Sequence, residues 1–169
     1  MLIFTANGLD PGEEISYSTR RSEPIVLKAE LQSIRSIDCL ELICNGQVID
    51  RTDLSGKDWS SDHQVSVVTK FAAKRSGWVA ARAIFRASDG RLRQAHTSPI
   101  YVTVNGKPTA SKADAEFMMR WIDRLVEVAR QPDRYQTVAQ RADVLAIYRE
   151  AKDVYEEIAR RAAEAWGDS

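Results

Sequence analysis

A chain of 169 residues is long enough for one domain with a sizeable core, or for a small domain with an appendage. Its 24 Lys and Arg balance 24 Asp and Glu, so the formal net charge is zero. No overall field draws such a chain to nucleic acid or to an anionic membrane, and neither partner is expected. No apolar run approaches the ~20 residues that span a bilayer. Met1-Leu2-Ile3-Phe4 is too short, and lacks the basic flank, to read as a signal peptide.

In chain order, the first half carries β patterning. Leu2–Ala6 is a short apolar run closed by Asn7-Gly8, and Asp10-Pro11-Gly12 is a second turn signal. Over Pro24–Gln32 the alternation is clean. Ile25, Leu27, Ala29 and Leu31 share one face, and Val26, Lys28, Glu30 and Gln32 share the other. Asp38–Cys44 and Gln47–Asp50 flank Asn45-Gly46, the strongest short signal for a hairpin. Thr52–Asp62 is polar and reads as a loop. Gln64–Phe71 alternates again, Gly77–Arg86 is a long strand, and Ser88-Asp89-Gly90 turns into a last strand over His96–Val104. Cys39 and Cys44 share one strand at an odd spacing, about 16 Å apart on opposite faces, which forbids a bond between them.

After Pro108 the period changes. Ser111 and Asp114 resemble a capping box. Met118, Ile122, Leu125 and Ala129 recur at helical spacing, and Phe117, Trp121 and Val128 widen the stripe. Pro132-Asp133 interrupts, and a second helix runs from about Thr137 to Trp166, with Gly167 as its stop. The fold class is therefore α+β: an antiparallel immunoglobulin-like β-sandwich of about seven strands over 1–107, then an α-helical hairpin over 108–169. The hairpin is expected to pack on the sandwich or on a partner, a second copy of the chain among them.

Few residues invite chemistry. His63 and His96 are the only histidines, and no His or Cys spacing matches a zinc site, so no metal ligand, catalytic residue or cofactor is assigned. Ser98 and His96 are neighbours on a strand rather than members of a triad. Ser55-Gly56-Lys57 lacks the first half of a phosphate loop, and Arg20-Arg21 and Arg91 with Arg93 read as solvated surface. Less bland is Gly77–Phe85, where Ala80, Ala81 and Ala83 are small for a strand. Trp78 and Arg82 project from one face about 13 Å apart. Either Trp78 sits at the core rim with Arg82 paired to a helix carboxylate, or both belong to a docking surface. His96 shares parity with Ile100 and Val102. It either points inward near a strand end or makes a polar contact with a ligand or a neighbouring domain. Trp78, Arg82, His96 and Thr97 are the candidate contacts.

The segment Ser76-Gly77-Trp78-Val79-Ala80-Ala81-Arg82, followed by Ala95-His96-Thr97-Ser98-Pro99-Ile100-Tyr101-Val102, resembles the C-terminal region of CehA/McbA-type metallohydrolases of the PHP (polymerase and histidinol phosphatase) superfamily. The opening Leu2–Gly8 with Pro11-Gly12 resembles the strand after that family's metal-binding domain, and Glu116–Leu125 resembles its helical hairpin. The resemblance implies a non-catalytic accessory region whose partner is the catalytic PHP domain of the same parent protein. It also implies that the chain begins where that barrel would end. No family metal ligand can be carried across, because no position here matches those motifs. The competing reading is an independent carbohydrate- or protein-binding sandwich using Trp59, Trp78 and Tyr101 as aromatic platforms. An enzyme in its own right is a third.

Overall fold

The computed structural model describes residues 1–20, 23–60, 62–131 and 135–167. Among them run nine strands: β1 (Leu2–Ala6), β2 (Glu14–Tyr17), β3 (Ile25–Gln32), β4 (Cys39–Cys44), β5 (Gln47–Asp53), β6 (Gln64–Phe71), β7 (Gly77–Arg86), β8 (Leu92–His96) and β9 (Ile100–Val104). Two helices follow, α1 (Lys112–Ala129) and α2 (Val138–Trp166). The chain divides into two compact units, Met1–Thr109 and Ala110–Ser169.

The first unit is a two-sheet sandwich. One sheet has the order β1-β3-β6, all antiparallel. The other has the order β2-β9-β7-β4-β5, with β8 also paired to β7. Three strands facing a sheet whose central strands are β9, β7 and β4 make an immunoglobulin-like arrangement. The alternation in β3 holds: Ile25, Leu27, Ala29 and Leu31 are buried, and the residues between them are exposed. From the opposite sheet Leu40, Leu42, Val79, Ala81, Ile100, Val102 and Val104 complete the core. Thr69 of β6 donates to the Asp50 carboxylate of β5, linking the two sheets at an edge.

Three turns share one construction. Asn7-Gly8, Asn45-Gly46 and Asn105-Gly106 all take positive φ at both residues, the conformation Asn and Gly tolerate best. Each Asn side chain then accepts a backbone N–H from another segment: Asn7 from Val26 at 2.8 Å, Asn45 from Trp78 at 2.9 Å and Asn105 from Thr19 at 3.2 Å. These turns therefore pin strands as well as reverse them. Ser76, buried before β7, accepts the N–H of Val104 at 2.8 Å and donates to the carbonyl of Lys107 at 2.7 Å. That closes the end of β9.

The strand count departs from the expected seven in two places. β2, unmarked by alternation, pairs parallel with β9, the one parallel pairing among the described residues. The last strand is not continuous from His96. It is split into β8 and β9, which pair in turn with the C-terminal and N-terminal parts of β7. Pro99 lies in the gap and has no N–H to give to a ladder. The expected loop from Thr52 starts instead at Leu54, because β5 runs on to Asp53 beside β4. Cys39 and Cys44 are both unbonded.

The second unit is a helix pair. Ser111 caps α1 by accepting the N–H of Asp114 at 3.3 Å, and Thr137 caps α2 by accepting that of Gln140 at 3.2 Å. Gly167, at φ 76°, ends α2. The expected break at Pro132-Asp133 lies outside the described residues, as does Arg21. The two helices pack together, and Lys152 donates to Asp123 across them at 2.7 Å. The buried stripe of α1 is narrower than the sequence pattern. Ala115, Ile122 and Ala129 are buried, whereas Phe117, Trp121 and Val128 are 57%, 49% and 39% exposed. The wider stripe is left in water.

Candidate functional site

Trp78, Ala80, Arg82 and Ile84 alternate onto the outer face of the sheet, while Val79, Ala81 and Ala83 point into the core. The three alanines of β7 thus have two different roles. Ala81 and Ala83 sit opposite Leu42 and Leu40, where small side chains make room for large ones. Ala80 lies outside, opposite Ile43 of β4, and with it forms the floor of an open groove of about 450 Å³.

The groove exists because the last strand is broken. Thr97-Ser98-Pro99 bows away between β8 and β9, opposite the smallest side chain on that face. On one side of the gap Trp78 pairs in register with Tyr101, giving an aromatic wall. On the other Arg82 pairs in register with His96, and the guanidinium makes this end cationic. All four candidates from the sequence line this groove.

One branch of the expectations for Arg82 and one for His96 are replaced by other contacts. Arg82 pairs with a strand carboxylate, not a helix one. Its Nε and Nη2 both donate to Oε2 of Glu41, at 2.9 and 2.6 Å. Arg51 of β5 donates to Oε1 of the same carboxylate at 2.9 Å. The Glu41 side chain is 3% exposed, so an almost fully buried carboxylate is matched by two guanidiniums that reach water, at 31% and 60% exposure. These three groups together carry one net positive charge. A carboxylate so placed is tolerable because both of its oxygens are satisfied by charged donors.

His96 does not point inward. The break before β9 uncouples its parity from that of Ile100 and Val102, and its ring is exposed, with Nδ1 3.2 Å from the carbonyl oxygen of Thr97. Thr97 is a structural closure. Its N–H donates to the Ala81 carbonyl at 3.0 Å, and its hydroxyl accepts the Ala81 N–H at 3.1 Å, so a side chain ends the ladder where the strand leaves it. Tyr101, 44% exposed, is offered by the sequence only as an aromatic platform of the competing reading, and it lines the groove with the four candidates. Its in-register place beside Trp78 could be found only from the pairing of distant strands.

Trp59 is no platform. It is buried at 6% exposure, with the Lys57 ammonium 5.3 Å from its ring centroid. No hydrogen bond joins Ser98 to His96, and no group of three His, Cys, Asp or Glu is placed to hold a metal ion, among the described residues. Burial pushes the thiol of Cys44 up, and that of Cys39 also, where nearby acids outnumber the opposing Arg51. What the groove can do chemically is bind. It offers an apolar floor, an aromatic wall and a basic end.

No family model matches the chain, and no curated protein matches it. Among solved structures the fold is similar to the fibronectin(III)-like modules of CbhA from Clostridium thermocellum. The match is 19% identical over 60% of this chain and 96% of that chain, with a TM-score of 0.36. The first unit is a β-sandwich module by its own strand order.

Proposed function

We propose that the chain is a non-catalytic accessory module of a larger metal-dependent hydrolase of the PHP superfamily, and that the outer-face groove docks on the catalytic barrel. The observation that carries this reading is the convergence of Trp78, Tyr101, Arg82 and His96 on one open groove with an apolar floor. Aromatic and Arg side chains around a small apolar centre are the composition of a protein docking site. The resemblance of Ser76–Arg82 and Ala95–Val102 to the segments that follow such barrels supplies the identity of the partner. The test begins with the reading frame around this segment, which should encode a His-rich barrel ahead of Met1. In that longer protein Trp78→Ala and Tyr101→Ala should lower metal-dependent turnover while the sandwich still melts cooperatively. Assembly and turnover that survive removal of residues 1–169 overturn the proposal.

One observation favours a second reading. Adjacent Trp78 and Tyr101 rings on an open face are also what a sugar-binding module uses, since planar rings stack on apolar faces of pyranoses. A glycan array separates the two readings. Binding that Trp78→Ala abolishes supports the independent module, and a blank array leaves the docking role.

A further inference from the structure

The helix pair carries its own unpartnered surface, independent of the sandwich groove and of the parent proposed above. Asp123 and Lys152, joined at 2.7 Å, mark one flank of the pair. At 100° per residue, Trp121 and Val128 of α1 fall on the opposite flank, with Phe117 at its outer margin. The same spacing places Ile147 and Val154 of α2 on that flank. The two α2 residues are 61% and 57% exposed. Together the five side chains leave roughly 500 Å² of apolar surface in water, near the upper end of the largest patch found on a monomer. Two such patches brought together would remove about 1,000 Å² before any rim contact is counted, the threshold of a specific interface.

We infer that this face pairs with the same face of a second copy of the chain, forming a four-helix bundle about a two-fold axis parallel to the helices. Two features of the face choose that occupant and that axis. The first is level. Counted outward from the Asp123–Lys152 bridge at equal rise, Val128 stands level with Ile147 and Trp121 with Val154, and Arg124 lies within one residue's rise, about 1.5 Å, of Glu150. A two-fold parallel to the helices lays α1 of one copy over α2 of the other at the same level, so apolar residues meet apolar ones. The second is charge. Arg124 borders the face on the α1 side and Glu150 on the α2 side, and neither has an ion-pair partner among the described residues. The parallel axis brings each Arg124 to a Glu150 of the other copy, twice. A two-fold across the helices would instead set α1 on α1 and leave these charges unmatched. An isologous contact of this kind closes on itself and leaves no open patch.

Sedimentation of the full chain across a concentration series tests this. The wild-type chain should sediment at twice the monomer mass. Trp121→Glu, at an exposed position, should weaken association about 100-fold with unchanged helical circular dichroism, as expected for a central aromatic. Arg124→Glu and Glu150→Arg should each weaken it about 10-fold, and the double charge reversal should bring it back to within about 3-fold of wild type. Val68→Glu, on the exposed side of β6 in the other unit, should change nothing. A chain that stays monomeric at about 100 µM, where even weak specific contacts populate, overturns the inference and gives the face to another occupant. So does a double reversal that fails to restore what the single reversals lose.

Discussion

Gly77 shows how one position can be fixed by its neighbour and not by its own backbone. Its φ is ordinary, yet a Cβ there would lie 1.8 Å from the Asn45 side-chain oxygen. That oxygen accepts the Trp78 N–H, so Asn45 cannot withdraw without leaving a donor behind. Gly77→Ala should therefore cost about 2–3 kcal/mol, read from urea unfolding. Asn45→Gly in the same chain should recover part of the loss, because it removes the obstacle. The Glu41 cluster makes an asymmetric prediction. Arg82→Ala leaves a buried carboxylate with one partner and should cost about 3 kcal/mol, whereas Glu41→Leu leaves two arginines that can turn to water and should cost less. Equal losses in the two variants would contradict this account. Arg82 could be singled out from the sequence by its parity with Trp78, but not its partner. Glu41 is 41 positions away, and nothing local marks it as the residue across the ladder.

Among the elements, the helices were the most legible. Ser111, Thr137 and Gly167 mark their ends in the sequence because capping is local: the side chain reaches three residues and no further. β3 was equally legible, since burial of one face imposes a period of two. β2 and the split last strand were not. β2 is held by hydrogen bonds to β9 and by the burial of Ile15 and Tyr17, and four residues are too few to show a period. Pro99 was visible, but its effect on the ladder depends on which edge of β7 it would have met. On α2 the charge pattern carries its own prediction. Arg160 and then Arg161 hold the Glu157 carboxyl down at about 2, below its usual 4.5. A depressed carboxyl stabilises the folded helix above the unfolded value and ceases to do so as pH falls through the folded one. Helicity of the second unit should decline between about pH 4.5 and 2, and Glu157→Gln should remove that component from a circular-dichroism titration.

At the scale of the molecule, each unit has its own means of holding together. The sandwich buries Phe4, Ile25, Leu27, Leu40, Leu42, Val79 and Ile100 between its two sheets, and its edges are tied by the Asn turns and Ser76. Residues 1–109 expressed alone should accordingly unfold in one cooperative transition with β-rich circular dichroism, and a broad, non-cooperative melt would count against a self-contained core. The sequence by itself determined where apolar faces must lie, where the chain must turn and where helices start and stop. These follow from periodicity and from side chains bonding their near neighbours. Only the tertiary structure decided which strands are adjacent, and so which side chains become a site. Trp78 meets Tyr101, Arg82 meets Glu41, and the groove opens at the break before β9, because strand pairing joins residues that no local rule relates.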